Sequence, residues 1–142
     1  MKVNRLIGFS CLVESPKNVW LLIHGNRGQV ADREYVIHCL SIEDSVFILE
    51  YPGYGNRSGK PSRKSFNEAA EEAYWELRER FPGTPVCVAG ESIGSGGACY
   101  LAWLNSPLEK SGACSAFRGF VVRGEREIPI RDCESRFEVE LE

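Results

Sequence analysis

Three short apolar runs, each closed by a glycine-bearing polar loop, set the rhythm of this chain. Residues 19–23 (Val-Trp-Leu-Leu-Ile) are apolar without a break and end at His24-Gly25-Asn26. Residues 45–51 end at Pro52-Gly53-Tyr54-Gly55, and residues 85–89 end at Gly90. Runs this short, continuous rather than alternating and rich in β-branched residues, predict strands buried on both faces. Between them the spacing turns helical. Residues 65–81 carry Phe66, Ala69, Ala70, Ala73, Tyr74, Leu77 and Phe81 on one stripe, with glutamates and arginines opposite. Ser65 with Glu68 fits a capping box at its start, and Pro82-Gly83 stops it. Residues 29–40 place Val30, Tyr35, Val36 and Cys39 or Leu40 at near-helical spacing, and a further helix is expected to end near Leu104.

The ends of the chain read differently. Residues 6–13 predict a first strand; Lys2 and Arg5 ahead of them loosely mimic a secretory leader. Glu14-Ser15-Pro16 then follow without a small-x-small cleavage site, so the strand is preferred. Beyond Asn105 only residues 117–122 look strand-like, and more than half of residues 123–142 are charged. Residues 137–142 alternate at period two, which permits a half-exposed edge strand. The expected division is therefore 1–105 as a folded unit and 106–142 as an atypical charged tail.

Strands alternating with helices predict an α/β fold, a mostly parallel sheet with helices on both faces. In such sheets chemistry gathers in loops beyond the strands' carboxyl ends, here 24–28, 52–59 and 90–97. Composition narrows the possible partners. The 142 residues are 43% hydrophobic and 26% charged with a net charge of −3, which leaves no basic excess for nucleic acid. No apolar stretch approaches the length of a membrane span. The six cysteines form no Cys-x-x-Cys pair and no Cys/His cluster, so no metal is expected. They read as reduced thiols, which points to the cytoplasm.

No cofactor motif survives inspection. The glycines from Gly53 to Gly59 follow a strand, but Lys60-Pro61 blocks the helix start on which a pyrophosphate would sit. The glycines from Gly90 to Gly97 lack the lysine of a phosphate loop. They do match Gly-x-Ser-x-Gly between strand and helix, as Gly90-Glu91-Ser92-Ile93-Gly94. Ser92 would sit on a sharp turn with its hydroxyl raised above the sheet. Gly90 and Gly94 would spare a clash there, and Gly96 and Gly97 would let the following helix pack closely. The helix N-terminus would offer amides to a developing oxyanion. The amides of Ile93 and Asn26 are the expected donors. His24 reads as a histidine that pins its loop, and His38 as a surface or half-buried imidazole.

Residues 3–104 resemble the N-terminal half of the α/β-hydrolase superfamily. The similarity is to the serine-hydrolase branch carrying His-Gly-Asn, Tyr-Pro-Gly-Tyr-Gly and Gly-x-Ser-x-Gly, here His24-Gly25-Asn26, Tyr51-Pro52-Gly53-Tyr54-Gly55 and Gly90 to Gly94. Gly59-Lys60-Pro61-Ser62 resembles that branch as well. The resemblance implies Ser92 as nucleophile, Asn26 and Ile93 as oxyanion donors, and a small-molecule ester, thioester or amide as substrate. Arg57 stands where many relatives carry serine.

The larger departure lies after Ser92. The family orders its triad serine, acid, histidine, yet no histidine follows Ser92, and Asp132 is the only later aspartate. Without a base, a serine hydroxyl is a weak nucleophile. His24 approaching Ser92 from the neighbouring strand is one conceivable substitute. The expectation is thus a serine hydrolase whose chain is truncated or altered near residue 106. A non-catalytic hydrolase-like binding protein is the alternative. The strand at 85–89 risks being an open apolar edge, which in a homo-oligomer the tail strand or a partner chain would cover.

Overall fold

The computed structural model describes residues 7–26, 30–105 and 118–122. Asp132, the alternating segment 137–142, the rest of the charged tail and the start of the first predicted strand lie outside them. The elements run β1 (Gly8–Cys11), β2 (Val19–Ile23), a 3-10 helix (Val30–Cys39), β3 (Ser45–Leu49), α1 (Arg63–Arg80), β4 (Val86–Glu91), α2 (Gly94–Leu104) and β5 (Arg118–Val122). They form one five-stranded sheet in the order β1-β3-β2-β4-β5. β1 is antiparallel to β3; the other pairings are parallel. The sheet is therefore mixed and mostly parallel, as the strand–helix alternation predicts.

Alternation along each strand sorts the core into two layers. Val19, Leu21 and Ile23 of β2, Phe47 and Leu49 of β3, and Val86 and Val88 of β4 pack with Ala69, Ala70, Ala73, Tyr74 and Leu77 of α1 and Leu101 of α2. Trp20, Leu22, Val46 and Ile48 point to the other face, against Ile37 and Leu40. Every side chain of β3 is buried, as a continuous apolar run requires. β1 is exposed along its length and forms the antiparallel edge.

Three expectations need correction. The segment after β2 is a 3-10 helix, not an α-helix. At its end the Leu40 amide donates to the Ile37 carbonyl at 3.3 Å, the three-residue bond of a 3-10 turn. Helix α1 starts at Arg63 with Ser62 as its cap, not at Ser65 with Glu68. The Ser65 amide donates to Ser62 Oγ, and the Ser62 amide donates to Ser65 Oγ, both at 3.0 Å. Serine at the third helical position thus replaces the expected glutamate in a reciprocal cap, and the helix gains its first residues. Finally, β4 is not an open edge. β5 pairs with it in parallel from Cys87↔Arg118 to Glu91↔Val122, so of the two covers expected it is a strand of this chain that lies on β4.

The topology locates a crevice. After β2 the chain leaves for the 3-10 face; after β4 it leaves for the face of α1 and α2, although β2 and β4 are neighbours. Loops that diverge from adjacent carboxyl ends open a gap between them, where ligands bind in open α/β sheets. Among the described residues, no helix is long and apolar enough to cross a membrane.

Candidate active site

The turn from β4 into α2 is built around Ser92. It is the one non-glycine residue with a positive φ among those described, at 52°. An L-residue in that region costs about 1–2 kcal/mol. The surroundings leave the chain little choice. A Cβ on Gly90 would stand 2.5 Å from the Gly94 carbonyl oxygen, and one on Gly94 would stand 1.9 Å from that of Ile23. The elbow is thus wedged against β2, and Ser92 remains exposed at its tip. The Ser95 amide donates to the Ser92 carbonyl at 3.0 Å, and the Gly96 amide to that of Ile93 at 3.2 Å. These bonds close the first turn of α2 and leave the Ile93 amide ahead of it, among the donors a helix start cannot satisfy internally. Of the two later glycines, only Gly97 packs closely, against Ile23; Gly96 faces open space. Ser92→Gly is expected to stabilise the fold by about 1 kcal/mol, read as a rise of about 2–6 °C in Tm. An unchanged melt would show that the turn is not strained.

The loop after β2 lies against this elbow. A Cβ on Gly25 would be 3.4 Å from both Ser92 Cβ and Glu91 Oε1. Asn26 is exposed beside it, and its Oδ1 accepts from the Tyr54 hydroxyl. The three motifs therefore meet: His-Gly-Asn and the serine elbow on adjacent strand ends, with the Tyr-Pro-Gly-Tyr-Gly loop behind.

His24 does not face the serine as a free base. It is buried, with Nδ1 2.7 Å from the Gly25 carbonyl oxygen and Nε2 3.1 Å from Glu50 Oε1. Both ring nitrogens are thus taken up, so the notion of His24 as a substitute base is not supported. The ring leans on Tyr51 at 4.8 Å and Tyr54 at 5.9 Å. Tyr51 donates its hydroxyl to the His24 carbonyl at 3.0 Å. Burial, with added repulsion from Tyr54 and Glu91, pushes the Tyr51 hydroxyl well above its ordinary pKa, so it stays a donor. His38 is exposed on the 3-10 helix.

Sequence reasoning missed two participants. Glu50 is the buried carboxylate against His24, and Arg33 Nε donates to Glu91 Oε2 at 2.9 Å, tying the 3-10 helix to the elbow. The signal was present for Glu50 and Glu91. Each is the polar residue nearest the end of an apolar run, and in the parallel register Ile23 pairs with Leu49 and Gly90. His24 consequently follows in line with Glu50 on one side and Glu91 on the other. Arg57, the departure from the resembling branch, donates Nη1 to the Glu50 carbonyl at 2.7 Å and so belongs to loop structure. Among the described residues no group of three His, Cys, Asp or Glu side chains is placed to hold a metal.

No family model matches the chain. Individual proteins do. Alpha/beta hydrolase domain-containing protein 17C of Xenopus tropicalis is 36% identical over 101 residues, covering 62% of this chain and 32% of that protein. Human alpha/beta hydrolase domain-containing protein 17B is 36% identical over 84 residues, 56% of this chain and 29% of that one. Among solved structures, TT1662 from Thermus thermophilus superposes with a TM-score of 0.52 at 26% identity, covering 66% of this chain and 46% of that chain. Residues here form the N-terminal half of an α/β-hydrolase fold. The bottromycin epimerase BotH superposes with a TM-score of 0.54 over 86% of this chain and 46% of its own; at 19% identity, that α/β-hydrolase likeness is one of fold alone. The chain spans about a third of the length of the curated relatives it matches.

Proposed function

We propose that this chain carries the nucleophile and oxyanion half of a serine acyl-transfer site of α/β-hydrolase type. The observation that carries the reading is Ser92 itself: a non-glycine residue held at positive φ, exposed, and seated against the β2 loop. Strain of this kind persists where the surroundings over-determine it, and it places a hydroxyl where an ester, thioester or amide carbonyl can reach it. In the proposed reaction Ser92 Oγ attacks the acyl carbon while its proton passes to a general base that the described residues do not supply, a role that imidazole takes in the test below. The Ile93 and Asn26 amides receive the developing oxyanion, the leaving group departs, and water releases the acyl group. The reaction draws on protein groups and water alone. His24 is engaged at both nitrogens, so the proposed base is not His24. Free thiols at Cys11, Cys39, Cys87 and Cys99 support a cytoplasmic compartment as part of the proposal.

A positioned general base is worth about 10²–10⁴-fold, so added imidazole should stand in for part of it. A fluorophosphonate is expected to label the 142-residue chain at Ser92 slowly, faster with imidazole in the buffer, and to spare Ser92→Ala. Equal labelling of the two proteins would overturn the assignment. The engaged state of His24 favours a second reading, a hydrolase-like protein that binds acyl ligands without turning them over. Saturable binding of the probe's non-reactive ester analogue, with no labelling under any imidazole concentration, would select it.

A further inference from the structure

The His-Gly-Asn segment is held at three successive points, and each bond comes from a buried or half-buried partner. Tyr51 donates to the His24 carbonyl, the His24 ring to the Gly25 carbonyl, and Tyr54 to the Asn26 side chain. Both tyrosines belong to the Tyr-Pro-Gly-Tyr-Gly loop, so one motif braces the other. The middle bond has a consequence for chemistry. The Gly25 carbonyl and the Asn26 amide are the two ends of a single peptide unit. The described chain has no cis peptide, so the C=O and N–H of that unit point in opposite directions. Holding the oxygen therefore aims the hydrogen. Rotation of the peptide plane would break the 2.7 Å contact with His24 Nδ1. Rotation of the imidazole is opposed in turn by Glu50, 3.1 Å from Nε2.

We propose that Glu50 and His24 act as a pair of positioning residues that orient the Gly25–Asn26 peptide so that its amide serves the oxyanion. This rests on the acyl-transfer reading above, and it gives His24 and Glu50 a role in the reaction without either touching the substrate. The Gly25 oxygen can only accept, so His24 Nδ1–H donates to it, and Nε2 meets the Glu50 carboxyl at 3.1 Å. Donation to the oxygen also polarises the peptide, making the Asn26 N–H a stronger donor. A merely structural histidine would hold the loop but would leave the chemical step indifferent to which atom does the holding.

The test compares wild-type chain, His24→Ala, His24→Asn and Glu50→Gln, each normalised to its folded fraction, with fluorophosphonate and imidazole. Asn Nδ2 sits where His Nδ1 sits relative to the backbone, so it can restore the donor. His24→Ala is expected to lose about 10²-fold in the maximal labelling rate, with the half-saturating probe concentration changed by no more than about twofold. His24→Asn should regain about tenfold of that loss, and Glu50→Gln should fall between alanine and wild type. Equal maximal rates across the folded variants, or asparagine no better than alanine, would overturn the proposal. The Gly25 carbonyl carbon resonance gives a readout that needs no labelling. It should move upfield in His24→Ala and stay near the wild-type position in His24→Asn. An unmoved resonance in His24→Ala defeats the positioning claim directly. Failure of the wild-type chain to label at Ser92, with that resonance behaving as expected, defeats the acyl-transfer reading and the catalytic part of this proposal while leaving the loop brace standing.

Discussion

Gly94→Ala is expected to cost about 3 kcal/mol or more, at or beyond the upper end of ordinary overpacking, and to abolish the elbow. The added Cβ would lie 1.9 Å from the Ile23 carbonyl oxygen and 2.8 Å from that of His24. Both atoms are backbone, and Ile23 belongs to β2, which is paired on both sides. No flexible side-chain end is available to give way. Either α2 shifts off the sheet, opening the layer of Ile23, Ala98 and Leu101, or the end of β2 bends and carries His24 with it. Gly96→Ala is the matched control in the same helix. Its Cβ would meet nothing within 4 Å, so the exchange should stabilise by about 0.5–1 kcal/mol through helix propensity alone. Chemical denaturation midpoints of the two variants should therefore move in opposite directions. A neutral Gly94→Ala would mean that the elbow is not wedged against β2 as described.

That contrast shows what the sequence made legible. The spacing Gly90-x-Ser92-x-Gly94 between an apolar run and a helix announced a tight turn, because a local backbone constraint leaves a local residue signature. It did not distinguish Gly97, which packs on Ile23, from Gly96, which faces space, since that depends on which side of α2 meets the sheet. Strands β2, β3 and β4 were readable for a similar reason: parallel strands covered on both faces must be apolar throughout. The 3-10 helix was not. Apolar residues three or four apart, such as Tyr35, Val36 and Cys39, fit either helical period, and the backbone bonding that separates the two leaves no mark on the residue pattern. Whether a tail strand or a partner chain covers β4 stayed open in the sequence, because Arg118 and Gly119 interrupt the apolar pattern of β5.

The site divides along the same line. Ser92, Ile93 and Asn26 stood out because their motifs are contiguous. Glu50 looked like an ordinary polar residue at the end of a strand, and it becomes the partner of His24 only through the β2–β3 register, 26 positions away. The local signal, a polar residue closing an apolar run, marks Glu50 as a candidate but does not name its partner. The polar residues that follow apolar runs can be aligned across a sheet only after the strand order is known.

The second large effect lies in that pair. The side chains of His24 and Glu50 are 1% and 9% exposed, so removing either takes a buried bond away from the other. Breaking a buried pair in this way typically costs about 3–5 kcal/mol, whereas replacing both members by apolar groups of similar volume is often close to neutral. His24→Leu and Glu50→Met are each expected to fall in the first range. The double variant should lose less than the sum by about 2–3 kcal/mol, the coupling of a contacting pair. The loss will not vanish, because the Gly25 carbonyl also gives up its donor. Urea unfolding of the four proteins of the cycle measures this coupling. Additive losses would show that the two residues stabilise the fold separately and that no shared bond joins them. A double variant that recovers stability while Ser92 labelling stays slow would separate the two consequences of the pair. That outcome would mean that the fold tolerates replacement of the pair by apolar packing while the Gly25 carbonyl has lost its His24 donor.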